Sequence, residues 1–331
     1  MQDTYPMISK RHLLAATAAA ALLPLTPALA QTAAWPSKPI RLVVGFPGGS
    51  SPDAMARALS DGLSKALGQP VVVDNKPGAS GNIAADQVAK ATDEHTLGIV
   101  INGNLTVAKL INPATPFDPA RDFAPISLLG TAPLVLTASG DATGSTPAEL
   151  IAWAKSLGDK GNYGTPGNGT VAHLGMELLK SKTGIAALHV PFPGNPQVVT
   201  ALIAGQVQLS LLPPGIAMPQ VKAGKLKAVA VTSPARSALV PDVPTLRDAG
   251  VTGTDLEVWT ALVGPASLPK PVVARVAAAV AEVMKQPETQ ARVLTAGWQA
   301  VGSPPEGLAQ RMKADTAQLS DIITSRNIKS D

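Results

Sequence analysis

Ile40-Arg41-Leu42-Val43-Val44-Gly45-Phe46-Pro47-Gly48-Gly49-Ser50-Ser51-Pro52-Asp53 is the stretch whose reading decides the fold. Its first five residues form a short β-branched, apolar run of strand type. A Gly/Pro-rich turn follows. Ser51-Pro52 then sets a capping side chain before a proline at the first helical position, and a helical pattern continues from Asp53 to Leu67. Glycines in such a turn let backbone N–H groups approach a ligand with no Cβ in the way. The helix start adds unpaired N–H donors and a positive partial charge, so the whole unit reads as an anion cradle at the carboxyl end of a parallel strand. The spacing is neither G-x-G-x-x-G nor a P-loop with its lysine, which disfavours dinucleotides and triphosphates. A plain Gly-rich turn with Ser51 as helix cap accounts for the same residues.

The pattern repeats outward along the chain. Val71 to Val73, Leu97 to Ile101, Leu188 to Pro191, Val207 to Leu212 and Leu226 to Val231 read as strands, with helical stretches such as Val171 to Lys180 between them. Alternation of this kind predicts an α/β protein with mostly parallel sheets flanked by helices. Thr146-Pro147-Ala148-Glu149 and Ser303-Pro304-Pro305-Glu306 complete capping boxes and look structural. Ile126 to Ala138 and Leu256 to Pro265 are two long extended segments far apart in sequence. They suit a pair of crossovers between two lobes, with lobe one at residues 31–129 plus 256–331 and lobe two at residues 130–255. The Ala-rich helices at 270–285 and 307–325 are expected to pack back on lobe one.

Three more stretches share the logic of the first. Asn162-Tyr163-Gly164-Thr165-Pro166-Gly167-Asn168-Gly169-Thr170 runs from a short strand through a Gly-rich loop to a helix, with Thr170 placed to cap it. His173 falls near that helix start and reads as a packed, hydrogen-bonded residue. His189-Val190-Pro191-Phe192-Pro193-Gly194-Asn195-Pro196 leads from a strand end to a helix that Asn195 is expected to cap. Asn102-Gly103-Asn104-Leu105-Thr106 follows a strand, and the Asn102 and Asn104 amides can donate to a carboxylate, although a capped turn explains them equally well. Anion-friendly loops divided between two lobes would grip one anion from both sides of a cleft without any charged side chain.

Composition removes several function classes. The formal net charge is +4 with no Lys/Arg cluster, and aromatics make up 3% of residues, so nucleic acid is a poor partner. No cysteine is present, and His95, His173 and His189 are the only histidines beyond the leader, which argues against a metal site; no cofactor is expected. No G-x-S-x-G elbow, H-E-x-x-H or close nucleophile–base pair can be found, so an enzyme is not expected. At the N-terminus, Lys10 and Arg11 precede an apolar run, Leu13 to Leu25, and the small-x-small site Ala28-Leu29-Ala30. Residues 1–30 therefore read as a signal peptide cleaved near Ala30, which would export the mature protein.

Over its whole mature length the chain resembles the tripartite tricarboxylate transporter receptor family, also called Bug proteins. The residues that carry the likeness are Trp35 to Val44, the block Leu67-Gly68-Gln69-Pro70-Val71-Val72-Val73-Asp74-Asn75-Lys76-Pro77-Gly78-Ala79, and Tyr163 to Leu174, which is similar to Y-G-[ST]-x-G-x-G-[ST]-x-x-H-L. Leu226 to Ser233 and Val240 to Leu246 add to it. The resemblance implies a type II-like two-lobe periplasmic binding protein with a cleft ligand, usually a carboxylate, delivered to a membrane transporter of two further subunits; we expect a monomer. It assigns ligand contacts to Phe46, Gly48, Gly49, Ser50, Ser51 and Asp53, to Thr165, Gly167, Asn168 and Thr170, and to Phe192, Gly194 and Asn195. Three departures touch the presumed cleft. The glycines after Pro47 are shifted by one place, Pro191-Phe192-Pro193-Gly194 stands where P-Y-[RK]-G is usual, and Leu212-Pro213-Pro214 replaces a frequent acidic residue. Fewer charged and hydroxyl groups suggest a more apolar or aromatic carboxylate. An orphan sensor feeding a membrane signalling receptor, or a secreted hydrolase using His173 or His189, are the alternative readings.

Overall fold

The apolar run at Ile40–Val44 becomes β1, and in a computed structural model it lies inside a sheet rather than at its edge. The structure describes residues 35–326 together with Gln2 and Ile328; the signal-peptide reading, with Lys10, Arg11 and the Ala28–Ala30 site, falls outside the described residues. After β1 come α1 (Ser51–Leu67), β2 (Val71–Asn75), α2 (Asn82–Ala89), β3 (Thr96–Ile101), the short helices α3 (Asn102–Thr106) and α4 (Ala108–Ile111), and β4 (Phe123–Pro133). The chain then builds β5 (Val135–Ser139), α5 (Pro147–Ser156), β6 (Asn162–Thr165), α6 (Val171–Thr183), β7 (Leu188–Pro191), α7 (Asn195–Ile203), β8 (Leu209–Leu212), α8 (Pro214–Lys222) and β9 (Leu226–Val231). It returns through β10 (Glu257–Pro265), α9 (Lys270–Lys285), α10 (Pro287–Thr295), β11 (Gln299–Ala300) and α11 (Pro305–Arg326).

These strands make two sheets, each flanked by helices. The first has the order β11-β4-β10-β3-β1-β2 and the second β7-β6-β8-β5-β9. The two-lobe α/β fold is the one expected, and each sheet is mixed. Helix crossovers join β1, β2 and β3 in parallel, and β6, β7 and β8 in parallel. The strands that carry the chain between lobes pair antiparallel: β10 with β3 and β4, and β5 with β8 and β9. Ile126 to Ala138 is extended for so long because β4 and β5 belong to different sheets and only Leu134 separates them.

Thr232 fastens this crossover to the return path. Its hydroxyl accepts from the Leu134 N–H at 2.9 Å and donates to the Leu256 carbonyl at 2.7 Å, while its own N–H donates to the Leu134 carbonyl at 2.9 Å. The side chain is 2% exposed, so these bonds are shielded from water.

The C-terminal helix does more than cover the first lobe. Leu308 and Met312 of α11 join a core with Val100, Leu128 and Trp259. Leu319, Ile322 and Ile323, further along the same helix, join a second core built on Leu136, Tyr163, Leu174 and Leu209 of the other lobe. Val107 and Ile111 enter that second core from the first lobe as well. The Ala-rich pattern that predicts the helix does not show this double attachment.

The lobes touch through glycines. A Cβ at Gly103 in α3 would lie 2.8 Å from the Gly169 carbonyl oxygen, and one at Gly194 would meet Pro47 at 2.8 Å. At the other end, the backbone of Gly215 in α8 lies against Ala296 and Gly297. Glycine at 103 and 215 lets two main chains approach across the cleft closer than a side chain permits, and at 194 it leaves room for the Pro47 ring.

Candidate functional site

Between these contacts the lobes enclose two adjoining chambers. The inner one, about 40 Å³, is walled by Phe46, Ser50, Ser51 and Trp298 from the first lobe and by Thr170, Val171, Ala172, Asn195 and Pro213 from the second. The outer one, about 470 Å³, lies between the Gly78–Asn82 loop, Gly103 and Asn104 on one side and residues 167–170 and 191–193 on the other. Ile101 and Thr170 line both.

Three helices begin at the inner chamber: α1 at Ser51, α6 at Val171 and α7 at Asn195, with 17, 13 and 9 residues respectively. The first amides of each have no partner within their own helix, and each start carries positive partial charge. The side chains there do not behave as the sequence pattern predicts. Ser51 does not cap α1: Ser50 holds the cap position and makes no side-chain cap bond. Asn195 does not cap α7 either, because Gly194 is the cap residue and Asn195 is already helical. Ser50 Oγ, Ser51 Oγ and Asn195 Oδ1 are buried with no hydrogen-bond partner, in residues 1%, 3% and 5% exposed. A buried polar atom left unpaired costs about 1–3 kcal/mol, so three of them around one chamber mark a place built to receive a hydrogen-bonding guest. Thr170 differs, since its hydroxyl accepts from the His173 N–H at 3.4 Å and donates to the Gly167 carbonyl at 2.8 Å.

The other expected contacts divide into two groups. Phe46 walls the inner chamber, while Asn104, Gly167, Asn168 and Phe192 wall the outer one. Gly48, Gly49, Asp53, Asn102, Thr165 and Gly194 line neither. Asp53 stands behind the turn: its carboxylate accepts from the Gly49 N–H at 2.9 Å, from Asn75 at 2.9 Å and from Arg57 at 3.0 Å. Burial alone would push this carboxyl up, but those donors outweigh it and hold it below the ordinary carboxylate range. Asn102 donates to the Glu257 carbonyl at 3.1 Å, tying α3 to β10. Thr165 is fully buried beneath its loop, where its hydroxyl meets Gly167 N–H at 3.2 Å and His189 Nε2 at 2.6 Å. His189 is half-buried, and neither residue lines the two chambers.

Under the same loop, Tyr163, His189 and His173 form a stack, with His ring centroids 4.1 Å apart and planes at 10°. The Gly169 N–H donates to His173 Nδ1 at 3.2 Å, so His173 shapes the loop from behind. Burial pushes the Glu177 carboxyl up, but Lys180, the Tyr163 hydroxyl and the nearby His173 more than offset it, and the carboxyl stays below its ordinary range. Among the described residues no group of three or more His, Cys, Asp or Glu side chains could hold a metal ion.

The loop at Gly78–Asn82 was missed as a site element. Ala79 and Ser80 sit in the left-handed region at φ 46° and 56°, and both line the outer chamber. Non-glycine residues there cost of order 1 kcal/mol each, strain that recurs where a backbone is held for a ligand. The surroundings hold it in place: Asn104 donates to the Ser80 carbonyl at 3.0 Å and to Asn82 at 2.8 Å. No residue type in Ala79-Ser80 signals positive φ, so the sequence gives no cue beyond the flanking glycines.

Comparison with known proteins agrees with this geometry. Residues 55–328 match the model of the tripartite tricarboxylate transporter family receptor, TctC. A UPF0065 protein from the tcbD-tcbE intergenic region of Pseudomonas sp. (strain P51) is 34% identical over 292 residues, covering 88% of this chain and 87% of the relative. Among solved structures, MatC (Rpa3494) from Rhodopseudomonas palustris with bound malate has a TM-score of 0.83 at 31% identity, covering 87% of this chain and all of that one. The periplasmic binding protein BugD has a TM-score of 0.85 at 29% identity, over 90% of this chain and all of that one. The chain belongs to the tripartite tricarboxylate transporter receptor family and is a solute-binding receptor rather than an enzyme.

Proposed function

We propose that this receptor works in the periplasm as a monomer, closes its lobes on a small organic carboxylate and presents the closed form to the membrane subunits of a tripartite transporter. One observation carries the ligand assignment. Helix starts from both lobes, with the unpartnered Ser50, Ser51 and Asn195 side chains, face a single chamber that no charged side chain lines. Such a set favours an anion, because the helix starts supply positive partial charge and N–H donors. The Ser50 and Ser51 hydroxyls add donors of their own. The relative crystallised with malate supports a carboxylate as the anion. The leader at Lys10 to Ala30 supports export, and no helix of the described residues is long and apolar enough to cross a membrane.

Titration calorimetry of the purified chain with a panel of organic acids tests this. We expect binding of at least one acid, weakened about tenfold or more in Ser51→Ala/Asn195→Ala, since one hydrogen bond to a charged group contributes about 1.5–3 kcal/mol. Equal affinity of the double variant would refute the assignment of the inner chamber.

A further inference from the structure

Four consecutive residues in one turn of the first lobe sit at positive φ: Gly78 at 139°, Ala79 at 46°, Ser80 at 56° and Gly81 at 88°. The glycines adopt such angles freely, whereas Ala79 and Ser80 carry a Cβ that crowds the backbone there. Few bonds lie inside the turn: the Gly81 N–H donates to the Gly78 carbonyl at 2.9 Å, and the Asn82 N–H donates to the Ala79 carbonyl. The brace from outside is the Asn104 side chain, which is 3% exposed. Its Nδ2 donates to the Ser80 carbonyl at 3.0 Å and to the Asn82 side-chain oxygen at 2.8 Å, and its Oδ1 accepts from the Ile101 N–H at 3.3 Å. An amide nitrogen has two hydrogens, so Asn104 has none left to give an anion, although it lines the outer chamber.

The turn it braces touches both lobes. On its own side, a Cβ at Gly45 would lie 2.6 Å from Gly81 Cα, and one at Gly81 would lie 2.9 Å from the Phe46 ring, which walls the inner chamber. Across the cleft, a Cβ at Gly167 would lie 3.1 Å from Ser80 Cβ and 3.3 Å from Ser80 Cα. Ser80 therefore rests on the bare backbone of Gly167, and both residues line the outer chamber. A turn relaxed out of the left-handed region changes the course of the chain at residues 79 and 80 and carries Ser80 off this seat.

Building on the carboxylate reading above, we infer that Asn104 is a positioning residue for ligand binding: it holds the Gly78–Gly81 turn in the strained form that seats Ser80 on Gly167, and it gives no hydrogen bond to the guest. Without the amide the turn loses its side-chain brace and relaxes in the unliganded protein. Closure on a guest must then restore the strained form, and affinity falls by that penalty. Ala79→Gly removes the penalty at one of the two positions. Loss of Asn104 is thus repaired by a glycine in the turn, whereas loss of a direct contact to the guest would not be.

Hydrogen exchange and calorimetry on the full chain test this with Asn104→Ala, Asn104→Ala/Ala79→Gly and Ala79→Val, using malate, adipate and benzoate as the acids. We expect the amides of Gly81 and Asn82 to exchange faster in Asn104→Ala than in the wild type. The acid that the wild type binds tightest should lose about tenfold or more in affinity in Asn104→Ala and regain about fivefold when Ala79→Gly is added. Ala79 is exposed, so Ala79→Val leaves the core intact; a β-branched residue at that φ should weaken the same acid with Asn104 in place, which decides the matter even if Asn104→Ala does not fold. Unchanged exchange or affinity in Asn104→Ala, unchanged affinity in Ala79→Val, or a loss that Ala79→Gly leaves unrecovered overturns the inference while the carboxylate reading stands. If none of the three acids binds the wild type, the carboxylate reading falls and the inference falls with it.

Discussion

Gly103→Ala places one methyl group between the lobes. The new Cβ would lie 2.8 Å from the Gly169 carbonyl oxygen and 3.6 Å from the Gly169 carbonyl carbon and Thr170 Cα. Ordinary contact begins near 3.4 Å, so the lobes must part by 3.4 − 2.8, about 0.6 Å, at this point. Both sides of the clash are main chain, and no rotamer change relieves it. Overpacking of this kind costs about 1–3 kcal/mol. That cost falls on the closed state alone, because alanine in α3 is otherwise at least as favourable as glycine in a helix. A ligand that needs closure pays it in full, so affinity should drop about 5- to 150-fold. Calorimetry with the tightest acid of the panel reads that number, and urea unfolding of the ligand-free variant checks that stability has not fallen in parallel. Unchanged affinity would refute the idea that this lobe contact belongs to the ligand-bearing state.

Two other substitutions read different links. Thr232→Val strips the crossover of its hydroxyl tie, leaving the Leu134 N–H and the Leu256 carbonyl without that partner; unfolding free energy should fall by about 1–3 kcal/mol, and a wild-type denaturation midpoint would contradict this. Asp53→Asn addresses pH. The folded pKa of Asp53 is depressed, so its stabilisation is complete above the unfolded value near about 3.9 and is lost as pH falls through the folded value. The variant should be less stable at neutral pH and show a flatter acid limb below about pH 4; parallel stability–pH curves for both proteins would count against the brace.

Much of the architecture was written in the sequence because burial imposes period. Thr96-Leu97-Gly98-Ile99-Val100-Ile101 is buried along its whole length, and its shortness and β-branched residues mark it as a strand covered on both faces. The capping box at Thr146 and Glu149 was equally legible, since the same side-chain bonds recur wherever that spacing starts a helix. The antiparallel share of each sheet was not legible, because pairing direction is set by where the chain crosses between lobes. At the site, local pattern reads Ser51 and Asn195 as helix caps, while the family resemblance reads them as ligand contacts, and only the cap reading fails. Their cap-like positions are real, yet the preceding residue takes the cap geometry and leaves their polar atoms for the chamber. Asp53 and Thr165 look like ligand groups in one dimension and are supports in three, since their partners, Asn75 and His189, come from neighbouring strands. The strained turn at Ala79 and Ser80 depends on Asn104, more than twenty residues away, a tertiary bond that local propensity does not contain.

A crystal structure of the chain with a bound organic carboxylate probes the central claim most directly. The account predicts both carboxylate oxygens in the inner chamber, within hydrogen-bonding distance of Ser51, Asn195 or the first amides of α1, α6 and α7, with no cationic side chain touching them. A guest seated outside that chamber, or a carboxylate held by a lysine or arginine, would contradict it.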